Sequence, residues 1–240
     1  MIHMMDANRS YAKFRALAGF TYEFSGAPAH AAASPWSGRN AVNGMTLFIH
    51  ALDMMRQQLR DGSRVHGIIL NGGSAANVIP DHASCQYLFR YKEKTYLDEI
   101  VRMAQDAAEG RAKATQTTVK MTAPGRALAD LKPTPRTDEL IANIYEELGV
   151  EVDRSPQEAM GSSDIGNLSC RCPAFHPTIS ISDTPLVPHT REFAAATQTD
   201  KAKWAIEKGA KAMATLVVRS MYDTAIIANM KKDFGAPASG

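Results

Sequence analysis

The order in which the apolar period changes along residues 20–125 restricts this 240-residue chain more than any other feature. Phe20, Tyr22 and Phe24 alternate with smaller or polar residues, the two-residue period of a half-buried strand over Phe20–Ser25. Between Asn40 and Leu59 the period lengthens. Met45, Phe48, Leu52, Met55 and Leu59 recur at helical spacing and give one apolar face for a sheet. Asp61-Gly62-Ser63 then breaks the chain, and Val65–Asn71 reads as a second strand. A third, Ser84–Tyr91, places Cys85, Tyr87, Phe89 and Tyr91 on one face and Gln86, Leu88 and Arg90 on the other. Thr95 is the expected cap of a helix from Tyr96 to about Gly110, with Leu97, Ile100, Val101 and Ala104 inward, and Thr117–Thr122 supplies a fourth strand. The series β-α-β-β-α-β is the split arrangement of ferredoxin-like domains.

Two connections in that series are poor in large side chains. The first, Phe24–Ala41, carries His30 in a Gly/Pro/Ala loop, where an imidazole is accessible and backbone can approach a ligand closely. The second, Gly72–His82, is longer than the two to about five residues usual for a hairpin and holds Asn77. A single histidine catalyses little without metal ligands, a nucleophile or an acid partner, so the rest of the chain decides what His30 means.

Beyond Pro124 the character changes, and a polar, Pro-containing connector at Leu131–Arg136 reads as a domain boundary. A helix starts at Thr137 and stops before Gly149, and Pro177–Ser182 is a buried-strand candidate. Thr199 or Asp200 caps a long Ala-rich helix containing Trp204, Met213, Leu216 and Val217. The expected organisation is a lead-in over 1–19, a ferredoxin-like domain over 20–125, a second α/β segment over 126–232 and a flexible tail over 233–240.

Composition narrows the function classes. With 45% apolar and 22% charged residues and no apolar run near the roughly 20 residues of a membrane span, the sequence is that of a globular protein in water. A formal charge of +2 gives no footprint for nucleic acid. Tyr87, Phe89 and Tyr91 on one strand prompt an RNA-binding reading, which the weak charge opposes. Three cysteines argue for a reducing compartment over a disulfide framework, and the N-terminus has no signal-peptide succession, so a cytoplasmic location is expected.

Several residues in the second half have the chemistry of a site. His189, between Pro188 and Thr190, is an imidazole at the start of an Ala-rich segment; it suits a metal, and it reads also as a surface or helix-start histidine. Gly161-Ser162-Ser163-Asp164 offers N–H groups and hydroxyls that suit a carboxylate, and it reads equally as a routine turn. Cys170-Arg171-Cys172 with His176 lacks the second spaced pair of a structural zinc site. Glu146-Glu147, at the end of an amphipathic helix, reads as a solvated face.

Five segments in this order resemble the co-catalytic metallopeptidase family of aminoacylase, carboxypeptidase G-type enzymes and succinyl-diaminopimelate desuccinylase. Within it, the likeness is to the p-aminobenzoyl-glutamate hydrolase branch. They are Gly26-Ala27-Pro28-Ala29-His30, Pro35 to Ala41, Asn77-Val78-Ile79-Pro80-Asp81, Gly161 to Asn167 and His189-Thr190-Arg191-Glu192-Phe193. The resemblance implies a ferredoxin-like lid that pairs edge to edge in a homodimer, followed by the C-terminal part of an α/β catalytic domain. It implies that His30 polarises the scissile carbonyl in a partner's site and that Asn77 and Arg90 contact the substrate amide and terminal carboxylate. It also implies that Gly161, Ser162 and Ser163 hold a carboxylate and that His189 is the last ligand of a divalent metal, zinc or manganese.

The same resemblance implies a first His or Cys ligand, a bridging acid and a general-base Glu upstream of the lid, and no H-x-D occurs in this chain. The expected activity is therefore hydrolysis of an amide next to a carboxylate once the N-terminal catalytic half is supplied, with this chain alone incomplete: a truncated fragment, one half of a split enzyme whose other half is a separate chain, or a remodelled protein. The alternative is a non-catalytic dimerising or carboxylate-binding remnant.

Overall fold

The computed structural model describes residues 1–155 and 161–235, and the chain is mixed α/β with two compact units, Arg15–Ala129 and Met1–Phe14 together with residues 130–240. A short strand near the N-terminus, β1 (His3–Met5), belongs to the second of these. The first contains β2 (Ala16–Ser25), β3 (Ala29–His30), α1 (Ala41–Met55), β4 (Arg64–Asn71), β5 (Val78–Ile79), β6 (His82–Tyr91), α2 (Lys94–Ala114) and β7 (Thr118–Thr122). Its sheet has the order β4-β6-β2-β7 with every neighbour antiparallel, the topology of a split β-α-β-β-α-β unit.

Both helices cover one face of that sheet. Phe48 and Leu52 of α1 and Leu97 and Ile100 of α2 pack with Tyr22, Phe24, Cys85 and Phe89 in one fully buried cluster. Tyr87 and Tyr91 belong to it as well, with Tyr87 edge-on to Phe48 and Tyr91 edge-on to Tyr96. The aromatic strand is therefore core, and its rings are withdrawn from any nucleic acid. Cys85 is inert for the same reason: burial pushes its thiol up to about 12.

Two boundaries depart from the sequence reading. The first strand begins at Ala16, four residues before Phe20, because Ala16 and Ala18 pair with Tyr91 and Phe89 and bury methyl groups too small to mark a period. Helix α2 begins at Lys94 with Glu93 in the capping place and Thr95 inside the first turn; it runs through Gly110 because Ala108 and Ala112 extend its buried stripe.

The second unit continues with α3 (Pro135–Glu147), α4 (Ile165–Ser169), β8 (Thr178–Ser180), α5 (Arg191–Ala196), α6 (Asp200–Tyr222) and α7 (Thr224–Gly235). Residues 1–14, expected in a lead-in, are part of its framework. Strand β1 pairs in parallel with β8, Arg9 exchanges both main-chain hydrogen bonds with Thr178 at 3.0 and 2.8 Å, and the Asn8 side chain accepts from Ser180 N at 2.7 Å. A pairing across some 170 residues leaves no local trace. Ile2 and Met4 reach the cluster of Ile179, Ile181, Ala202 and Ala205, while Ile141, Ile144 and Tyr145 of α3 pack on Ala212 of α6. Gly149, at φ 71°, ends α3 as a left-handed residue.

Residues 233–235, expected in a flexible tail, close α7 instead. Asp233 is buried there and accepts from Arg136 N at 3.0 Å and from the Arg136 guanidinium, which ties the last helix to the first turn of α3. The remaining residues of that expected tail, 236–240, lie outside the described ones. No helix among the described residues is long and apolar enough to cross a membrane.

Candidate functional site

The two small-residue loops of the first unit are halves of one structure. Gly26 N donates to Asp81 O at 2.7 Å, Ala27 and Arg39 exchange two bonds of 2.9 Å, β3 pairs antiparallel with β5, and Ala31 N donates to Asn77 O at 2.9 Å. Gly26 is required because a Cβ there would collide with the Arg39 carbonyl. Together these bonds prolong the β2/β6 ladder into a two-stranded tip on which His30 stands opposite Val78, one residue from Asn77. His30 is exposed, and its Nδ1 accepts the N–H groups of Ala32 and Ala33 at 3.2 and 3.1 Å. The ring proton of the neutral imidazole accordingly sits on Nε2, an outward-facing donor suited to an oxygen that gains charge. Trp36, 78% exposed, stands on the same tip.

Arg90 is elsewhere. It lies opposite Leu17 and Arg64 at the far end of β6, eight residues from His82, which is roughly 26 Å at 3.3 Å per residue. Asn77 and Arg90 therefore cannot contact one small substrate from the same copy of this unit.

In the second unit, Gly161, Ser162 and His189 come together around a cavity of about 570 Å³, joined by His3, Lys13 and Phe193. His189 has a left-handed backbone at φ 65°, a conformation that L side chains rarely adopt. Thr190 holds it there: its hydroxyl donates to Val187 O at 2.8 Å and accepts Phe193 N at 3.2 Å, capping α5. Ser163 does not line the cavity; its hydroxyl accepts Ile165 N at 3.4 Å at the start of α4. Sequence reasoning missed His3 and Lys13, which become cavity residues only through the β1/β8 pairing.

Close to His3 is His176, 2% exposed, with neither ring nitrogen hydrogen-bonded; its ring lies 5.4 Å from that of His3 and 4.6 Å from that of Phe14. Burial, helped by the His3 charge, pushes its pKa down to about 4, so the ring is neutral at physiological pH. The zinc reading with Cys170 and Cys172 fails, because these residues do not converge: Cys170 is exposed and Cys172 Sγ points to Leu168 O at 3.8 Å. Glu146 and Glu147 pair with Arg154 and Arg219, the solvated face expected of them.

A divalent metal of the kind the family resemblance implies does not fit the donors present. His189 and His3 line one cavity, but a catalytic ion takes three or more protein ligands, and no group of three His, Cys, Asp or Glu among the described residues is disposed to hold one.

Comparison with known proteins bears on both units. Residues 13–116 match the family model described as a peptidase dimerisation domain. The first unit is a peptidase dimerisation domain. Across 237 residues, 98% of its length, the chain is 30% identical to mouse Xaa-Arg dipeptidase, of which it covers 55%. It is 37% identical over 101 residues to one of the subunits of Escherichia coli p-aminobenzoyl-glutamate hydrolase, covering 42% of this chain and 21% of that protein. In fold it is similar to the aminobenzoyl-glutamate utilization protein of Klebsiella pneumoniae, with a TM-score of 0.68 at 22% identity over 88% of this chain and 52% of the other. The resemblance read from the five motifs is thus borne out at the level of the peptidase family. The chain spans about half the length of the mouse dipeptidase. The dimerisation domain carries the tip with His30 and Asn77, and the second unit carries the His189 cavity.

Proposed function

We propose that this chain is the lid and C-terminal catalytic portion of a metal-dependent amidohydrolase that cleaves an amide next to a carboxylate, an N-acyl amino acid, a dipeptide or an aminobenzoyl-glutamate type of substrate. The observation that carries this reading is His30: an exposed Nε2–H donor, oriented by two backbone bonds, on a rigid tip of a peptidase dimerisation domain. His30 is exposed at the end of that tip and Arg90 lies at the other end of β6, so in this reading His30 and Asn77 serve a partner copy's substrate while Arg90 serves a different one. The copies join through β4, an edge strand with one neighbour and with Ile68, Ile69 and Leu70 exposed.

The chemistry follows from charge. Water attacks the carbonyl carbon, negative charge develops on its oxygen, and the Nε2–H of His30 donates to that oxygen. Gly161, Ser162 and Lys13 around the His189 cavity hold the substrate carboxylate. Neither the base that takes the water's proton nor a full ligand set for the metal is among these residues. The part of the family sequence that this chain does not match, upstream in the same polypeptide or on a separate one, supplies both, and His189 is the ligand contributed from these residues. With three free cysteines, the reducing cytoplasm is the location this reading assigns.

The test is hydrolysis of N-acyl glutamates and dipeptides with Zn²⁺ or Mn²⁺. This chain alone gives no metal-dependent turnover; joined by the N-terminal half it does, and His30→Gln then lowers kcat by on the order of 100- to 1000-fold. Turnover by the chain alone refutes the claim of incompleteness. A second reading, a carboxylate-binding remnant, is favoured by the His189 cavity itself. It requires heat on titration with N-acyl glutamate in calorimetry, lost in Ser162→Val, with no turnover in either setting.

A further inference from the structure

On the tip that carries His30, Trp36 is 78% exposed, and among the large apolar side chains of the described residues only Tyr222 is more so. An indole is one of the largest apolar groups a fold can bury, and this one is left in water on a well-held segment. A single 3-10 turn, Pro35–Ser37, carries it, with the proline ring fixing φ at the start. Ser34 N donates to His30 O at 3.1 Å, Ser37 Oγ to Ser34 O at 2.8 Å and Gly38 N to Pro35 O at 3.1 Å. A Cβ at Gly38 would fall 2.7 Å from Ile79 Cδ1 and 3.1 Å from Ala29 Cβ, so the turn lies directly against β3 and β5. Trp36 and His30 are therefore held in one hydrogen-bonded piece.

A single exposed ring would mean little, but its neighbours are apolar and exposed as well. Ala32, Ala33 and Pro35 stand beside it in the sequence, and Val78, 38% exposed, lies opposite His30 on β5. The tip thus presents apolar surface around one donor, the Nε2–H of His30. Arg39 is the one arginine or lysine of the loop, and its Nη1 is committed to Gly38 O at 2.8 Å and Trp36 O at 3.4 Å. An amide whose carbonyl oxygen meets His30 has a carboxylate on one side and an acyl group on the other. A neutral apolar plane suits the acyl side, since a carboxylate placed on it would lose water without gaining a partner.

We infer that Trp36 is a specificity-determining residue: its indole stacks on the acyl group of the amide that His30 polarises, and it selects a flat aromatic acyl group. The inference rests on the proposed role of His30, and it adds which of the substrate types admitted there is preferred. Stacked or edge-on rings gain free energy beyond the area they bury, a gain that an alkyl chain or a polar aminoacyl group does not share. An aromatic acyl group is also conjugated with its carbonyl, which keeps ring and oxygen in one plane. An indole and a donor fixed on one tip can then engage both without ordering a flexible chain. The surface of a partner copy is the competing occupant for the indole.

The experiment uses this chain joined by the N-terminal half and compares N-benzoyl-glutamate with N-acetyl-glutamate, which share the carboxylate side and differ in the acyl group. Trp36→Leu should lower kcat/KM for the benzoyl substrate by about tenfold, chiefly through KM, and for the acetyl substrate by less than about twofold. Trp36→Phe should restore most of the loss, whereas His30→Gln lowers kcat for both substrates. Equal loss for both substrates in Trp36→Leu, or loss for neither, overturns the proposal and leaves the role of His30 standing. A second readout needs no turnover. With fluorotryptophan in this chain, the fluorine resonance that Trp36→Phe removes should shift on adding N-benzoyl-glutamate and stay in place with N-acetyl-glutamate. That shift without hydrolysis keeps the proposal and removes the enzymatic reading. A Trp36 resonance that ignores both ligands overturns the proposal, and Trp36→Leu turning dimer into monomer in light scattering then assigns the indole to a contact between copies.

Discussion

The dimerisation domain and the second unit differ in how their sheets are closed. In the former, four antiparallel strands carry two helices on one face, and Tyr22, Phe24, Phe48 and Phe89 are fully buried between them. In the latter, a parallel pair of three-residue strands is packed by helices whose apolar surface exceeds what it covers. A domain with large side chains fully enclosed carries its own stability, whereas an open edge and an open apolar stripe are surface that a partner can cover. Chemistry is separated as well: the dimerisation domain holds His30 on a hydrogen-bonded tip, and the second unit holds the His189 cavity.

The largest effect that sharpens this contrast is in the core. Phe48→Ala removes a ring in contact with Tyr22, Phe24 and Tyr87 and should cost about 3–5 kcal/mol in urea unfolding of the dimerisation domain. Ile206→Ala, on the open stripe of α6, should change stability by less than about 0.5 kcal/mol in the chain alone.

Next comes pH, which acts on the two units differently. Burial, with the Asp233 charge nearby, pushes the Asp138 carboxyl up to about 7 although Thr134 donates to it at 2.9 Å. Unfolded chain ionises this group near pH 4, so its contribution to stability falls as pH rises from about 4 to 7. Asp138→Asn should therefore be more stable than the parent at pH 8, by on the order of a few kcal/mol, with the difference gone below about pH 4. His176 works the other way: its contribution is full above about pH 6.5 and is lost as pH falls to 4, a loss that His176→Phe should abolish. The core of the dimerisation domain adds no such dependence, because burial raises both Tyr22 and Cys85 and keeps them protonated throughout that range. Urea midpoints from pH 4 to 8 measure all three expectations. A parent curve as steep in Asp138→Asn would break the assignment.

Smaller effects concern the sites. His189→Gly relaxes a left-handed backbone and should raise the unfolding free energy slightly, by at most about 1 kcal/mol in urea unfolding, while removing the cavity's imidazole. Smallest in stability is Ile69→Lys on the exposed β4 edge: within about 0.5 kcal/mol by denaturation, but sufficient to turn dimer into monomer in light scattering. A dimer that survives it is held by another surface.

Legibility followed the reach of each interaction. Alternation in Phe20–Phe24, helical spacing from Met45 to Leu52 and Gly149 after α3 are local signals, and the elements they announce are present. Ala16 and Ala18 were silent because a methyl group marks no period, though pairing with β6 buries both. Of the candidate site, His30, Asn77, Gly161 and His189 were legible through their motifs. His3 and Lys13 were not, since nothing near residue 3 announces a partner near residue 178.

By itself the sequence determined the order of elements, the family resemblance and the identity of the residues able to do chemistry, all properties of short windows. Only the tertiary structure decided which of them meet. It made one tip of the two small-residue loops, because backbone hydrogen bonds between Ala27 and Arg39 and between Ala31 and Asn77 depend on register and not on side chains. It set Arg90 a strand's length away from that tip, and it left α6 with a bare apolar stripe, because burial is fixed by what packs against a helix and not by the helix alone.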